Sequence, residues 1–219
     1  MRTIQQAVTS IINKTPFIEE ALYDKLINVS SLARMIKPEV EAILRKEIKE
    51  GAIMMAINRL SPSSVLKVRK NVRKIALASG DFIVRSDLMD CTFKNSSTLL
   101  KNITQLLNDL GDSSDNFFTI SQGVFETNIV ASNSLISKIE KYFEHEVRLW
   151  FLEDLASVTI KLPKTNLEQS GIYYFILKQL AWADIPVQEV ISTTHEMTIV
   201  VKEIHIKETF AILMDMKLD

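Results

Sequence analysis

The sequence predicts an α+β protein, a helical N-terminal part followed by a sheet built twice, and three observations predict it. Apolar residues recur at helical spacing through roughly the first 80 positions. After Gly80 the texture changes to short stretches rich in β-branched residues, which alternate with amphipathic segments in the order βαββαβ. From Ala156 the same order starts again.

The N-terminal elements follow from spacing and punctuation. Ile4, Ala7, Val8, Ile11 and Ile12 make one face of a first helix. Pro16 suits the first turn of a second helix, which carries Ile18, Ala21, Leu22 and Leu26, and residues 28–31 offer caps for a third. From Leu32 to Leu60 the pattern stays helical. Pro38 is expected to restart a helix there, because the residue ahead of a proline disfavours helical geometry. Gly51 stands where a good helix former would be about 1 kcal/mol more favourable, which points to a turn or a close approach. Residues 65–79 (VLKVRKNVRKIALAS) place Val65, Val68, Val72 and Ile75 on one stripe, with Lys67, Lys70 and Lys74 on one flank and Arg69 and Arg73 nearer the other. This is a basic amphipathic helix, and no acidic residue occurs from Arg59 through Lys74.

Beyond Gly80 the expected order is a strand over 81–93, a helix over 97–110, the polar turn GDSSDN, strands over 117–121 and 125–132, a helix over 135–143 and a strand over 146–151. The second copy has a strand over 157–163, a helix over 171–183, strands over 187–193 and 196–203, and a helix over 206–216. It lacks a closing strand, so a neighbour has to cover that edge. Two ferredoxin-like units in tandem account for this order. The expected boundaries are 1–64 for the helical domain, 65–81 for the basic linker helix, and 82–152 and 153–219 for the two units.

Composition narrows the chemistry. The chain is 47% hydrophobic and 24% charged, an ordinary globular balance, and its longest apolar run, 52–57, is far shorter than a membrane helix. A protein without membrane association, in the cytoplasm, is expected. Cys91 is the only cysteine, and His145, His195 and His205 lack zinc-binding spacing, so neither metal nor cofactor is expected. Residues 1–80 hold 14 Lys+Arg against 7 Asp+Glu, whereas residues 81–219 hold 12 against 20. That asymmetry points to an anionic partner for the first part only, with nucleic acid the usual one.

The stretch SGIYYFILKQLAWADIPVQEVISTTHEMTIVV (170–201) resembles the ACT domain, an amino-acid-sensing module, and in particular the regulatory region of aspartokinases. The resemblance is carried by Gly171-Ile172, Leu180-Ala181, Ala183, Ile185, Ile191-Ser192-Thr193 and Ile199-Val200-Val201. In the first unit ISQGVFETNIV is similar to a run of the companion aspartokinase sensor domain and puts Gln122 at a ligand-facing position. The Pro-Gly pair usual ahead of the helix is Ser170-Gly171 in the second unit, and FKNSSTLL in the first unit has no glycine. The second unit is therefore the expected site. The resemblance implies an amino-acid effector at the head of the helix, contacted by Asn166, Gln169, Ser170, Gly171 and Ile172 and by the strand residues Val187, Gln188 and Glu189. On this reading His195 is a bystander in a turn. Residues 29–36 (VSSLARMI) resemble the scaffold helix of a helix-turn-helix and residues 46–60 its recognition helix, with residues 37–46 as a long intervening turn. The partner so implied is duplex DNA, held by Lys67, Arg69, Lys70, Arg73 and Lys74 at phosphates and by Lys49, Asn58 and Arg59 nearer the bases. A homodimer is expected, since helix-turn-helix proteins read paired half-sites. No enzyme is expected: the only glycines ahead of the first unit, Gly51 and Gly80, form no phosphate loop, and no nucleophile–base or paired-carboxylate pattern appears. The alternative is a regulatory or scaffolding subunit that binds protein partners and not DNA.

Overall fold

The computed structural model describes residues 2–60, 80–111, 116–164 and 170–218. The chain divides into two compact units, Met1–Asn71 and Val72–Asp219. The first contains α1 (Ile4–Ile12), α2 (Pro16–Tyr23), α3 (Val29–Leu44) and α4 (Glu50–Asn58). Thr3 and Gln6 close a capping box on α1: Thr3 Oγ1 accepts from the Gln6 N–H at 3.2 Å and Gln6 Oε1 from the Thr3 N–H at 2.9 Å. Asn28 caps α3 as expected, accepting from the Ser31 N–H at 3.0 Å. Ala7, Val8 and Ile12 of α1 meet Leu32, Ala33, Ile36 and Val40 of α3 and Ile53 and Ile57 of α4 in one core.

Three local expectations are corrected here. α2 ends at Tyr23, because Lys25 takes a left-handed conformation (φ 58°) that lets the Leu26 N–H reach the Ala21 carbonyl at 2.8 Å. Leu26 is therefore 78% exposed rather than on the helix stripe. α3 runs unbroken through Pro38. Its buried stripe continues on both sides of that residue, and burying such side chains at about 1.5–3 kcal/mol each outweighs the ~3 kcal/mol cost of an interior proline. The long turn expected over 37–46 is thereby mostly helix, and the chain reverses over 45–49 with Arg45 left-handed at φ 53°. Gly51 lies in the first turn of α4, and apart from its chain neighbours and the helix's own backbone no atom of the described residues lies within 4 Å of where a Cβ would stand, so it serves neither a turn nor a close approach among them. The basic helix expected over 65–79 lies outside the described residues.

The second unit contains β1 (Phe82–Lys94), α5 (Leu99–Leu110), β2 (Phe118–Gln122), β3 (Glu126–Ser132), α6 (Ile136–Tyr142), β4 (Arg148–Lys161), α7 (Ile172–Trp182), β5 (Val187–Ser192), β6 (Glu196–Lys202) and α8 (Ile206–Leu218). All six strands form one antiparallel sheet in the order β2-β3-β1-β4-β6-β5. The strands expected over 146–151 and 157–163 are a single strand, β4, so the boundary between 152 and 153 falls inside it. β1 and β4 pair along their lengths, from Phe82 opposite Ile160 to Phe93 opposite Arg148. The later half of β1 also pairs with β3, and the later half of β4 with β6. Each long strand thus opens as the closing strand of the other's half-sheet, and Phe82–Arg85 is the strand that the second copy lacked in sequence.

The two ribbons bend where they exchange partners. Asp87 (φ 61°) and Asp154 (φ 56°) are left-handed, and the β1–β4 register shifts beside them, as at a bulge, which sharpens twist and bend. Asn133 Nδ2 donates to Asp87 Oδ1 at 2.7 Å and holds the first bend. Strand alternation then sorts the side chains. Met89, Cys91 and Phe93 pack under Leu99, Ile103 and Leu106 of α5 and Ile139 of α6, with the Phe93 and Phe143 rings stacked at 4.8 Å. In the other half Val158, Ile160, Ile199 and Val201 are buried, as are Ile172, Ile176 and Leu180 of α7 and Leu213 of α8. On the opposite face Leu88, Val130, Leu155 and Val200 make a small cluster of their own. The sheet curls around that face, since residues of β2 and β5, its two edge strands, line one cavity there.

Candidate functional site

The heads of α5 and α7 are the equivalent places in the two half-sheets, and local hydrogen bonds set the equivalence. The Gly123 N–H donates to the Glu126 carbonyl at 2.8 Å and the Thr193 N–H to the Glu196 carbonyl at 2.9 Å. The Asn95 N–H donates to the Phe125 carbonyl at 3.0 Å and the Leu162 N–H to the His195 carbonyl at 2.7 Å. In each half the hairpin tip is tied to the loop that leaves the long strand. His195 takes part through its backbone, and its side chain is exposed.

At the head of α7, Gly171 is the N-cap at φ 106°, a conformation that favours glycine, and it has no side chain with which to cap the helix. The amide groups of a first helical turn have no partner within the helix, and they carry the positive end of its dipole. Ser170 is exposed there, while Ile172 is buried and anchors the turn. The Tyr173 hydroxyl is hydrogen-bonded to Ser192 Oγ at the end of β5. Neither Tyr173 nor Ser192 was expected from the sequence, although a constant spacing of 70 residues between the two hairpins carries Gln122 onto Ser192. Gln122 itself is exposed at the end of β2, in the other half of the sheet. Asn166 and Gln169 lie outside the described residues.

Val187, Gln188 and Glu189 are not brought to Gly171. They begin β5, whereas the tyrosine contact is with Ser192 at its end, roughly 10–16 Å along the strand. Gln188 and Glu189 instead line the cavity on the concave face of the sheet. Burial pushes the Glu189 carboxyl above its ordinary range, and the charge of Asp90 adds to that. Asp90 is likewise raised by burial, against an opposing hydrogen bond from Asn128. Burial pushes the Cys91 thiol up to about 12, so it is an inert core group.

The head of α5 is built differently. Ser96 Oγ accepts from the Leu99 N–H at 3.0 Å and the Thr98 N–H at 3.2 Å. The Glu146 carboxylate then accepts from Ser96 Oγ at 2.7 Å, Thr98 Oγ1 at 2.7 Å and Asn102 Nδ2 at 2.8 Å. A carboxylate of the chain itself therefore occupies this helix head, and none occupies that of α7 among the described residues.

In the helical unit Lys49, Asn58 and Arg59 are exposed, Lys49 at the start of α4 and the other two at its end. Met55 is exposed beside them, and Met54 packs against the core. Glu50, the acidic residue in the first turn of α4, is engaged by Ser30 at 3.1 Å and Arg34 at 3.7 Å. Lys67, Arg69, Lys70, Arg73 and Lys74 lie outside the described residues. Among the described residues no cluster of His, Cys, Asp and Glu could hold a metal ion, and no helix is long and apolar enough to cross a membrane.

No protein-family model matches the chain, and no curated protein sequence matches it. Solved structures do match. The aspartate kinase of Clostridium acetobutylicum aligns with a TM-score of 0.52 and 12% identity over 62% of this chain and 34% of that one. The regulatory subunit of aspartate kinase from Thermus thermophilus aligns at 0.50 and 8% over 63% of this chain and 97% of that one. A structure of aspartokinase alpha and beta subunits aligns at 0.52 and 10% over 68% and 99%. Identities this low show the fold alone, and the fold is an α+β arrangement of the aspartokinase regulatory, ACT-like kind. The chain spans about a third of the full-length kinase and nearly the whole of the separate regulatory subunit.

Proposed function

We propose that this chain is a non-enzymatic regulatory protein in which two interlocked ferredoxin-like, ACT-type units answer to an amino acid bound at the head of α7. The observation that carries this reading is the contrast between the two helix heads. At α5 Ser96, held by Glu146, takes the first-turn amides, while at α7 Gly171 has no capping side chain and no carboxylate stands there among the described residues, beside Tyr173 and Ser192. A free helix N-terminus suits the carboxylate of an amino acid, and Ser170, with Asn166 and Gln169 from the preceding loop, would supply further polar contacts. The likeness to aspartate kinase regulatory subunits supports the same role. A ligand at a hundredfold excess over its Kd adds about 2.7 kcal/mol of stability. A thermal-shift screen of the twenty amino acids should therefore give one or two clear hits, abolished by Gly171→Val. A flat screen at millimolar concentration, with folded protein, would mean that this fold serves assembly and not sensing.

The N-terminal unit is proposed to bind duplex DNA as part of a homodimer. Lys49, Asn58 and Arg59 are exposed at the two ends of α4, and the basic segment holding Lys67, Arg69, Lys70, Arg73 and Lys74 would reach phosphates. The scaffolding alternative is favoured by a different feature, the exposed apolar side chains Val124, Phe125, Val147, Leu149 and Trp150 at one end of the sheet. A gel shift with mixed genomic fragments at low salt separates the two. DNA binding should weaken steeply as salt rises, and charge reversal at Arg69 and Arg73 should abolish it. Light scattering should show a dimer at micromolar concentration.

A further inference from the structure

We infer that the opening of β4, residues 148–153, pairs antiparallel with the same stretch of a second copy, so that two half-sheets join across a two-fold axis. That pairing is a surface for the homodimer proposed above, on which it rests, and it lies outside both the helical unit and the edge strands β2 and β5.

Only one side of this stretch is paired. β1 takes Arg148 to Leu152 along one edge, whereas β6 reaches β4 only from Leu155 onward. Among the described residues no backbone group bonds to the other edge of residues 148–153. An open edge is a template for another strand, and proteins that keep it single blunt it with lysine, proline or a covering loop. Residues 147–152 (VRLWFL) hold one charge, no lysine and no proline. Leu149 is 50% exposed and Trp150 55%.

The occupant follows from the faces these side chains take. The β1–β4 register shifts between Arg148 and Trp150, which makes Leu149 an extra, bulged residue. Arg148 thereby shares a face with Phe151, and its guanidinium lies 4.8 Å from the centre of the Phe151 ring. Strand alternation puts Glu153 on that face too, and Trp150 and Leu152 on the other. Phe151 packs against the helix-side core and Leu152 against the small cluster on the opposite face, as the alternation requires. Residues directly opposed in an antiparallel pair share a face. Turned about a two-fold axis at Phe151, the stretch sets Phe151 against its own copy, Trp150 against Leu152 and, across the bulge, Arg148 against Glu153. Every opposed pair then shares a face, and opposite charges meet twice. Glu153 has no ion-pair partner among the described residues, and Arg148 reaches only Glu140, at 3.9 Å. An edge that is its own complement in charge and face fits a second copy of this chain.

The test is sedimentation equilibrium of the full chain, with circular dichroism to show that each variant is folded. The wild type should be a dimer at micromolar concentration, and Trp150→Lys, an edge lysine at an exposed position, should raise the dimer Kd roughly tenfold or more. Arg148→Glu and Glu153→Arg, both at exposed positions, should each weaken the dimer about as much by setting like charges opposite one another. The double reversal restores the match and should return the Kd to within about threefold of the wild type. A monomeric wild type would overturn both this pairing and the homodimer, and would leave the edge to a different protein. A dimer unchanged by Trp150→Lys would overturn the pairing alone and leave a homodimer formed elsewhere. A double reversal no tighter than the single ones would likewise overturn it.

Discussion

Ser96 and Gly171 leave the amides at the head of a helix in opposite states: Ser96 Oγ, itself held by Glu146, accepts from the Thr98 and Leu99 N–H groups, whereas Gly171 has no side chain to offer. Removing the carboxylate in Glu146→Ala hands the Ser96, Thr98 and Asn102 donors to water. The variant should lose about 0.5–1.5 kcal/mol in urea denaturation, and Glu146→Gln, which keeps an acceptor, should lose less. An unchanged midpoint for both would show that the carboxylate is merely solvated. The concave face carries a pH signature with a definite sign. Burial raises the Asp90 and Glu189 carboxyls. A carboxyl raised on folding stabilises below its unfolded pKa, and that contribution is lost as pH rises through the folded value. Asp90→Asn should therefore gain on the wild type as pH increases from about 4 toward neutrality, and thermal melts at several pH values would show whether the two curves diverge. Gly171 entered through the resemblance, and the structure makes it the N-cap of α7 in a conformation that favours glycine. Ser192 and Tyr173 were not legible, because the resemblance pointed to the start of β5 and the helix head meets its end.

Elements were legible wherever side-chain periodicity was long. The weak points were positions where local preference opposed packing. α3 passes through Pro38 because its buried stripe extends beyond it. β4 runs through Glu153 and Asp154, residue types that strands disfavour, where two separate strands were expected. Yet residues 87–94 (DLMDCTFK) and 154–161 (DLASVTIK) share four of eight positions, and each begins with the left-handed aspartate of its bend. Helix ends offer a clean experiment. Asp184 stands left-handed (φ 55°) after α7, in a cap where the Ile185 N–H reaches the Leu180 carbonyl at 3.0 Å. Asp184→Gly should stabilise by less than about 1 kcal/mol, since a left-handed aspartate is strained but tolerated better than most residues and glycine loses more backbone freedom on folding. Gly51→Ala, in open space within α4, should add roughly 0.5–1 kcal/mol. Chemical denaturation of both variants measures the gains, and a loss at either would mean that the backbone there differs from the one described.

At the scale of the whole molecule, the exchange of half-strands makes the two half-sheets unequal partners in folding. The stretch 82–152 holds four strand segments of its own: the later half of β1, β2, β3 and the opening of β4. The stretch 153–219 holds only three, and its fourth, Phe82–Arg85, lies at the far end of the sheet region in sequence. Cut off from it, Ser157–Ile160 would present an unpaired edge, and Phe210 of α8 would lose the Phe82 ring that meets it edge-on at 6.3 Å. Residues 153–219 alone should therefore show no cooperative transition in urea by circular dichroism, whereas 80–219 should unfold in one. Mixing 153–219 with 80–152 should restore protected amides in β6 by supplying the missing strand. If 153–219 folded cooperatively alone, the start of β1 would be an accessory to that half-sheet rather than its closing strand, and any coupling between the two helix heads would need a route other than the shared ribbon.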